Sequence, residues 1–291
     1  MIVYTLSCVW STSLDLYFFF LCGSSSFALS QYQHMSRKIR ISCSNRSICV
    51  TFLADGSVEV LLLLVIKSPP VNYNHQKVLR KTWAKERLQN GVWIRTLSNV
   101  GTMTSSNGTF FDTFFNPTLK QTLFLEWMDR NCPQVRFLMN IDHDVLANTE
   151  NMDNDGGKHL FTGHLIQYVG PIRSPGSKYY IPVQVQESES YPPYCGGGGF
   201  LLSGYTAHVI FNMSHSITIL PIDDVYMGMC MAKAGLGPAS HVGVKTAGLP
   251  VPANAYDLDP CYFREVLLVH RFLPLNLYFM WNSLHDPNLK C

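Results

Sequence analysis

The sequence predicts an α/β domain with a central, mostly parallel sheet. Residues 58–66, Val-Glu-Val-Leu-Leu-Leu-Leu-Val-Ile, form a near-continuous apolar run, as expected of a strand covered on both faces. A proline-rich stop and a segment of helical spacing follow it. A second apolar run, Val135 to Ile141, then ends in the acidic turn Asp142-His143-Asp144.

The first strand must stop at Lys67-Ser68-Pro69-Pro70. From Asn74 to Arg87 charged residues alternate with Val78, Leu79 and Trp83 at helical spacing, which predicts a helix and completes a β-turn-α unit. The next strand is expected over Val92 to Leu97. Asn116 followed by Pro117 reads as an N-cap with proline at the first helical position, and the helix through Leu119 to Met128 should end near Asn131-Cys132-Pro133. Tyr191-Pro192-Pro193-Tyr194-Cys195 and the four glycines Gly196 to Gly199 form an aromatic-flanked loop feeding a strand at Phe200-Leu201-Leu202. Asp223 and Asp224 open a mostly apolar, buried helix closed by Gly235.

Composition narrows the function. The chain has 291 residues, is 47% hydrophobic and 14% charged, and its net charge of +2 contains no block of like charge. That excludes disorder and leaves no electrostatic footprint for nucleic acid. Nine cysteines without C-x-x-C pairs or zinc-ligand spacing read as a disulfide set made in an oxidising compartment. The odd number leaves at least one unpaired thiol, assigned to Cys8 or Cys22. Residues 1–36 form an apolar head with one formal charge, Asp15, read either as a signal-anchor or as a misplaced start. Residues 37–58 read as a polar stem, and residues 59–291 as the main globular domain.

Two carboxylates at i and i+2 just past a strand suit a hard divalent cation that bridges a diphosphate, and the strand end is where open α/β sheets bind nucleotides. The same pair also fits a plain polar turn. Asp223 and Asp224 are either helix-capping acids or a general base for an acceptor hydroxyl. His270, after the run Val266-Leu267-Leu268-Val269, is either a satisfied core residue or a ligand. The glycine run has no Lys-Ser/Thr after it and so is not an ATP-binding loop.

Together these residues resemble the β-1,3-glycosyltransferase family, glycosyltransferase family 31, and within it the β-1,3-N-acetylglucosaminyltransferases of the N-acetyllactosaminide and mucin core 1 extending type. The resemblance rests on Leu79-Arg80-Lys81-Thr82-Trp83, Phe124-Leu125-Glu126-Trp127, Asp142-His143-Asp144-Val145, Gly170-Pro171-Ile172-Arg173, Ser177-Lys178-Tyr179-Tyr180, residues 191–203, Asp223 to Gly228, and Asp259-Pro260-Cys261-Tyr262 through His270-Arg271-Phe272 to Cys291. It implies a GT-A type fold and an inverting transfer of N-acetylglucosamine from UDP-GlcNAc to the 3-hydroxyl of a galactose-ending glycan. Mn²⁺ or Mg²⁺ is the implied cofactor. The implied setting is the Golgi lumen, type II through the head, with homo- or hetero-oligomers of Golgi transferases allowed. A UDP-Gal-dependent galactosyltransferase and a non-catalytic glycan- or partner-binding homologue are the alternative readings.

By the same resemblance, Asp144 and His270 ligate the metal and Asp224 is the base. Asp142, Lys67, Ser68 and Arg80 face the donor, while Tyr194, Gly197, Gly198 and Asp223 form the acceptor and sugar loop. The chain departs from the family pattern at His143, where the family has a third aspartate, at Ile141 before it, and at Gln76, usually basic. Only nine residues lie between Gly101 and Phe111, where the family carries a helix and a strand, so one helix-strand unit should be missing. The segment Met152 to Leu160 is also short.

Overall fold

The computed structural model describes residues 60–68, 72–89, 92–100, 102–105, 108–111, 117–149, 158–246 and 259–291. All of these fall in one compact unit, Ile39–Cys291. The expectations for the head, the stem, the Pro69-Pro70 stop, the Asn116 cap and residues 152–157 lie outside the described residues.

In chain order the elements are β1 (Val60–Ser68), α1 (Tyr73–Lys81), β2 (Arg87–Gln89), β3 (Val92–Val100), β4 (Thr102–Ser105), β5 (Gly108–Phe111), α2 (Pro117–Asn131), β6 (Phe137–Asp142), β7 (Val145–Ala147), β8 (Phe161–Ile166) and β9 (Tyr194–Ser203). After these come α3 (Gly204–Ser214), α4 (Asp223–Lys233), β10 (Ala239–Ser240), β11 (Val244–Lys245), α5 (Pro260–Arg264), β12 (Leu268–His270) and α6 (Pro274–Leu284). Seven strands form one sheet in the order β10-β8-β9-β6-β1-β3-β2. Pairings β1-β3, β1-β6 and β8-β10 are parallel, while β9 and β2 run antiparallel to their neighbours, so five of the seven strands point one way. The predicted α/β class and mostly parallel sheet are present, consistent with a GT-A-like fold.

β1 is apolar throughout because it lies in the middle with a layer on each face. Leu63 and Val65 enter one core, shared with α2, α3 and α4 through Phe124, Leu125, Ile210 and Tyr226. Leu62, Leu64 and Ile66 enter the other, shared with Leu79, Trp83, Phe263 and Leu277. The strand's period of two thus sorts alternate side chains into opposite layers. Lys67 falls on the first face, toward the start of α4.

Several boundaries differ from expectation. The loop predicted over Tyr191 to Gly199 is already strand from Tyr194, because Tyr194 and Cys195 pair with β8 and Gly199 pairs with β6, and β3 runs on to Val100. The helix predicted over Asn74 to Arg87 ends at Lys81, because the Thr82 hydroxyl donates to the Val78 carbonyl (2.9 Å) and the Thr82 N–H turns back to the Leu79 carbonyl (3.1 Å). Arg87–Gln89 then pairs antiparallel with β3 as an edge strand. In the short 101–111 interval the backbone forms the hairpin β4-β5, which is its own two-stranded sheet and adds nothing to the central one. Among the described residues, the edge beside β3 is therefore covered by the three-residue β2 alone.

Disulfide chemistry also departs from sequence parity. Cys261 is bonded to Cys291, and Cys132 is disulfide-bonded as well, but Cys195 and Cys230 are free and buried. Burial pushes both thiols up to about 12, so they behave as inert core residues. No helix among the described residues is long and apolar enough to cross a membrane.

Candidate active site

The carboxyl ends of β1 and β6 meet in register, with Lys67 opposite Asp142. Lys67 Nζ lies 3.2 Å from Asp142 Oδ1 and 3.4 Å from Asp223 Oδ2, and donates to the Gly197 carbonyl at 2.9 Å. One ammonium therefore ties β1, β6, β9 and α4 together. Burial alone would lower its pKa, but Asp142, Asp223 and Asp224 outweigh that and hold the charge on it well above the usual lysine range.

The chain turns after Asp142 and returns as β7, which pairs antiparallel with β12 so that Val145 faces His270. The Phe272 N–H donates to the Asp144 carbonyl at 2.7 Å, extending that ladder past His270. His270 Nε2 stands 3.0 Å from Asp144 Oδ1 and 3.6 Å from Asp142 Oδ2. Burial opposes ionisation of Asp144, yet His270 and His143 hold its carboxyl below the usual range; the Asp144 hydrogen bond raises His270 in return. Asp142, Asp144 and His270 offer one ligand atom each, all within 4.8 Å of one another. Two hard carboxylate oxygens and an imidazole nitrogen on half-buried residues fit a divalent cation.

Asp224 sits in the first turn of α4, where the Val225 N–H donates to Oδ1 at 2.8 Å and a backbone hydrogen bond from Gly197 reaches it as well. Its pKa is pushed up to about 6, first by burial and then by Asp223, against the pull of those N–H groups and Lys67. A carboxyl poised near neutrality and fixed by backbone donors is suited to general-base work.

Crowding explains the glycine at the centre of the run. A Cβ on Gly198 would stand 2.9 Å from His270 Nδ1, and one on Gly197 would stand 3.4 Å from Asp224 Oδ2 and 3.9 Å from Lys67 Nζ. Strand β9 therefore brings bare backbone between the acidic cluster and Asp224, and at Gly198 the approach is closer than a Cβ allows.

The structure gathers Lys67, Asp142, Asp144, Gly197, Gly198, Asp223, Asp224 and His270 into one locus. Tyr194 begins β9 beside α4: a Cβ on Gly228 would meet the Tyr194 Cβ at 2.7 Å. Burial and then Asp224 push its phenol up to about 12. Ser68 is buried and receives Gln76 Nε2 at 3.2 Å, and Arg80 is exposed on α1 and donates to Gln76 at 3.4 Å. Gln76, which replaces the usual basic residue, is thus a buried link between those two.

Sequence reasoning did not give Trp83 a task at the site. Its indole is fully buried and donates to the Val145 carbonyl at 3.0 Å, pinning the residue directly after Asp144. His143, the odd residue of the turn, pairs through Nε2 with Asn72 Nδ2 at 2.7 Å and meets His75 edge-on at 4.9 Å. Only an unusually placed tryptophan in the Leu79 to Trp83 motif hinted at the first, and nothing in the sequence at the second.

Fold and site together define an α/β protein with a cation-competent acidic cluster facing a half-buried carboxylate at the sheet's carboxyl edge. Residues 74–241 match the family described as Galactosyltransferase, and the chain belongs to that family. It is 47% identical over 259 residues to an N-acetyllactosaminide beta-1,3-N-acetylglucosaminyltransferase 3 of Homo sapiens, covering 80% of this chain and 70% of that protein. It is 40% identical over 265 residues to an acetylgalactosaminyl-O-glycosyl-glycoprotein beta-1,3-N-acetylglucosaminyltransferase of Mus musculus, covering 81% and 68%. With a UDP-GlcNAc:betaGal beta-1,3-N-acetylglucosaminyltransferase 7 of Rattus norvegicus it shares 36% identity over 263 residues, covering 80% and 66%.

Proposed function

We propose that the protein transfers N-acetylglucosamine from UDP-GlcNAc, in β-1,3 linkage and with inversion, to a galactose at the end of a glycan. The observation that supports this most is the pairing of the Asp142-Asp144-His270 cluster with Asp224 across the glycine backbone of β9. Asp144 and His270 would hold Mn²⁺ or Mg²⁺ with Asp142 beside them; a cation bound there neutralises charge on the leaving diphosphate. Asp224 takes the proton from the acceptor 3-hydroxyl as that oxygen attacks the anomeric carbon. Lys67 keeps Asp142 and Asp223 in place, so that Asp224 is the carboxylate left to accept a proton. Residues 59–291 would form the catalytic domain, in the Golgi lumen, where the Cys261–Cys291 bond is at home.

The test is a donor panel of UDP-GlcNAc and UDP-Gal with a β-galactoside acceptor, run with Mn²⁺ and after chelation. GlcNAc transfer that stops with chelator and in Asp144→Ala is expected. Preference for UDP-Gal would replace the donor assignment with a galactosyltransferase, and no UDP release from well-folded protein would make the chain a non-catalytic homologue.

A further inference from the structure

Three asparagines of the chain lie in the triplet Asn-X-Ser/Thr that accepts N-linked glycans: Asn45-Arg46-Ser47, Asn107-Gly108-Thr109 and Asn212-Met213-Ser214. Asn45 and Asn107 lie outside the described residues, whereas Asn212 stands in the last turn of α3. Such triplets recur by chance, and the fold decides which of them has room for a glycan.

Helix α3 is open on the side that carries Asn212. Thr206, Ala207, Ile210 and Ser214 are its buried residues, with Ala207 and Ile210 in the core shared with α2 and α4. Tyr205, His208 and Asn212 are exposed and recur at i, i+3 and i+7, which makes them one stripe along the outer face. The Asn212 amide is held in place on that stripe. Its Nδ2 lies 2.8 Å from His208 Nε2, and His208 Nδ1 lies against Asp129 Oδ1. With Nδ1–H donated to the carboxylate, Nε2 of a neutral imidazole is an acceptor, so Asn212 Nδ2 is the donor. That bond uses one N–H of the amide and leaves the other for substitution. A glycosylated asparagine keeps one N–H, and the chain Asp129-His208-Asn212 therefore survives the modification.

Ser214 sets the order of events. It is 8% exposed, its hydroxyl donates to the Phe211 carbonyl at 2.6 Å, and its own carbonyl accepts from the Tyr226 hydroxyl at 3.0 Å. The folded triplet thus turns inward the hydroxyl by which it is recognised. The triplet is read before α3 forms, and the folded helix then carries the product on its open stripe.

We infer that Asn212 carries an N-linked glycan, added to the nascent chain by a membrane oligosaccharyltransferase. Asn212 Nδ2 attacks the anomeric carbon of an oligosaccharide carried on a lipid diphosphate. The N–C bond forms, the C–O bond to the diphosphate breaks, and the lipid diphosphate departs while the amide gives up one proton. This rests on the lumenal part of the reading given above, since the reaction belongs to the secretory pathway.

The experiment expresses the whole chain and its Asn212→Gln variant in mammalian cells. Purified protein is treated with peptide N-glycosidase in heavy-oxygen water, the peptide containing residue 212 is read by mass spectrometry, and UDP-GlcNAc transfer is measured on the same preparation before treatment. Residue 212 should be converted to heavy-oxygen aspartate in most molecules. The variant should migrate faster than wild type by one glycan, a difference that vanishes after treatment. An unmodified Asn212 in a chain that carries a glycan at Asn45 or Asn107 overturns the inference. So does a chain with no glycan at all: transfer by that preparation leaves the transfer reading standing without its lumenal setting, and no transfer defeats both. A chain glycosylated at Asn212 that transfers nothing upholds the inference and defeats the transfer reading alone.

Discussion

Replacing Asp224 with asparagine should stop transfer and make the protein more stable. Asp224 is held among backbone donors and next to Asp223, and its folded pKa of about 6 lies above the ordinary 3.8. The charged form is therefore disfavoured by folding. That destabilisation is absent below pH 3.8, grows between 3.8 and about 6, and is complete above 6. A rise from 3.8 to about 6 corresponds to about 3 kcal/mol at 1.36 kcal/mol per pH unit. The carboxyl is only part-buried and solvent relieves some of the cost, so about 1–2 kcal/mol is expected, or about 3–6 °C in Tm for a domain of this size. Calorimetry in chelator should show Asp224→Asn melting higher than wild type at pH 7.5 and equal to it at pH 4. Transfer by the variant should fall about 10²- to 10⁴-fold, the usual contribution of a positioned base, and wild-type turnover should rise through about pH 6. A variant that melts lower at pH 7.5, or keeps its gain at pH 4, would refute the electrostatic account. Near-normal turnover would refute the assignment of the base.

Lys67→Met leaves Asp142, Asp223 and Asp224 without their buried counter-charge, and urea unfolding should show a loss of about 3–5 kcal/mol. Gly198→Ala puts a methyl 2.9 Å from His270 Nδ1, so the imidazole must move; manganese titration of activity should show a higher half-saturating concentration while circular dichroism stays unchanged. Cys291→Ser opens a loop closed over a sequence separation of 30 residues, for which the chain-entropy account gives about 3–4 kcal/mol, read as a lower Tm under non-reducing conditions.

The sheet is legible in the sequence because β1 and β6 are apolar on both faces, a pattern that neither a half-exposed strand nor an amphipathic helix carries. The acidic turn and Asp223-Asp224 are legible as chemistry, since a strand end and a helix start are the places where carboxylates can converge. Other features depend on distant partners. Lys67 is expected at the donor; that it also joins three strands and a helix up to 156 residues apart in sequence depends on tertiary contacts alone. The early end of α1 turns on one hydroxyl, Thr82, choosing a backbone carbonyl. The free thiols of Cys195 and Cys230 cannot be foreseen from a cysteine count, because both sit in the interior of one core. The Gly101 to Phe111 interval is too short for a crossover, as its length implies, but its hairpin carries no apolar alternation to announce it.

The ladder between β7 and β12 is only three residues long, with Val145 opposite His270, Leu146 opposite Val269 and Ala147 opposite Leu268. Its register decides which side chain meets Asp144. A slip of one position would present either Val269 or Arg271, a hydrocarbon or a second cation, where an imidazole now stands. Side-chain period makes such a slip all-or-none. The cation-competent character of the Asp142-Asp144-His270 cluster thus depends on the alignment of two short strands as well as on its ligands, and an insertion or deletion there would take the imidazole out of the cluster without substituting any of its residues.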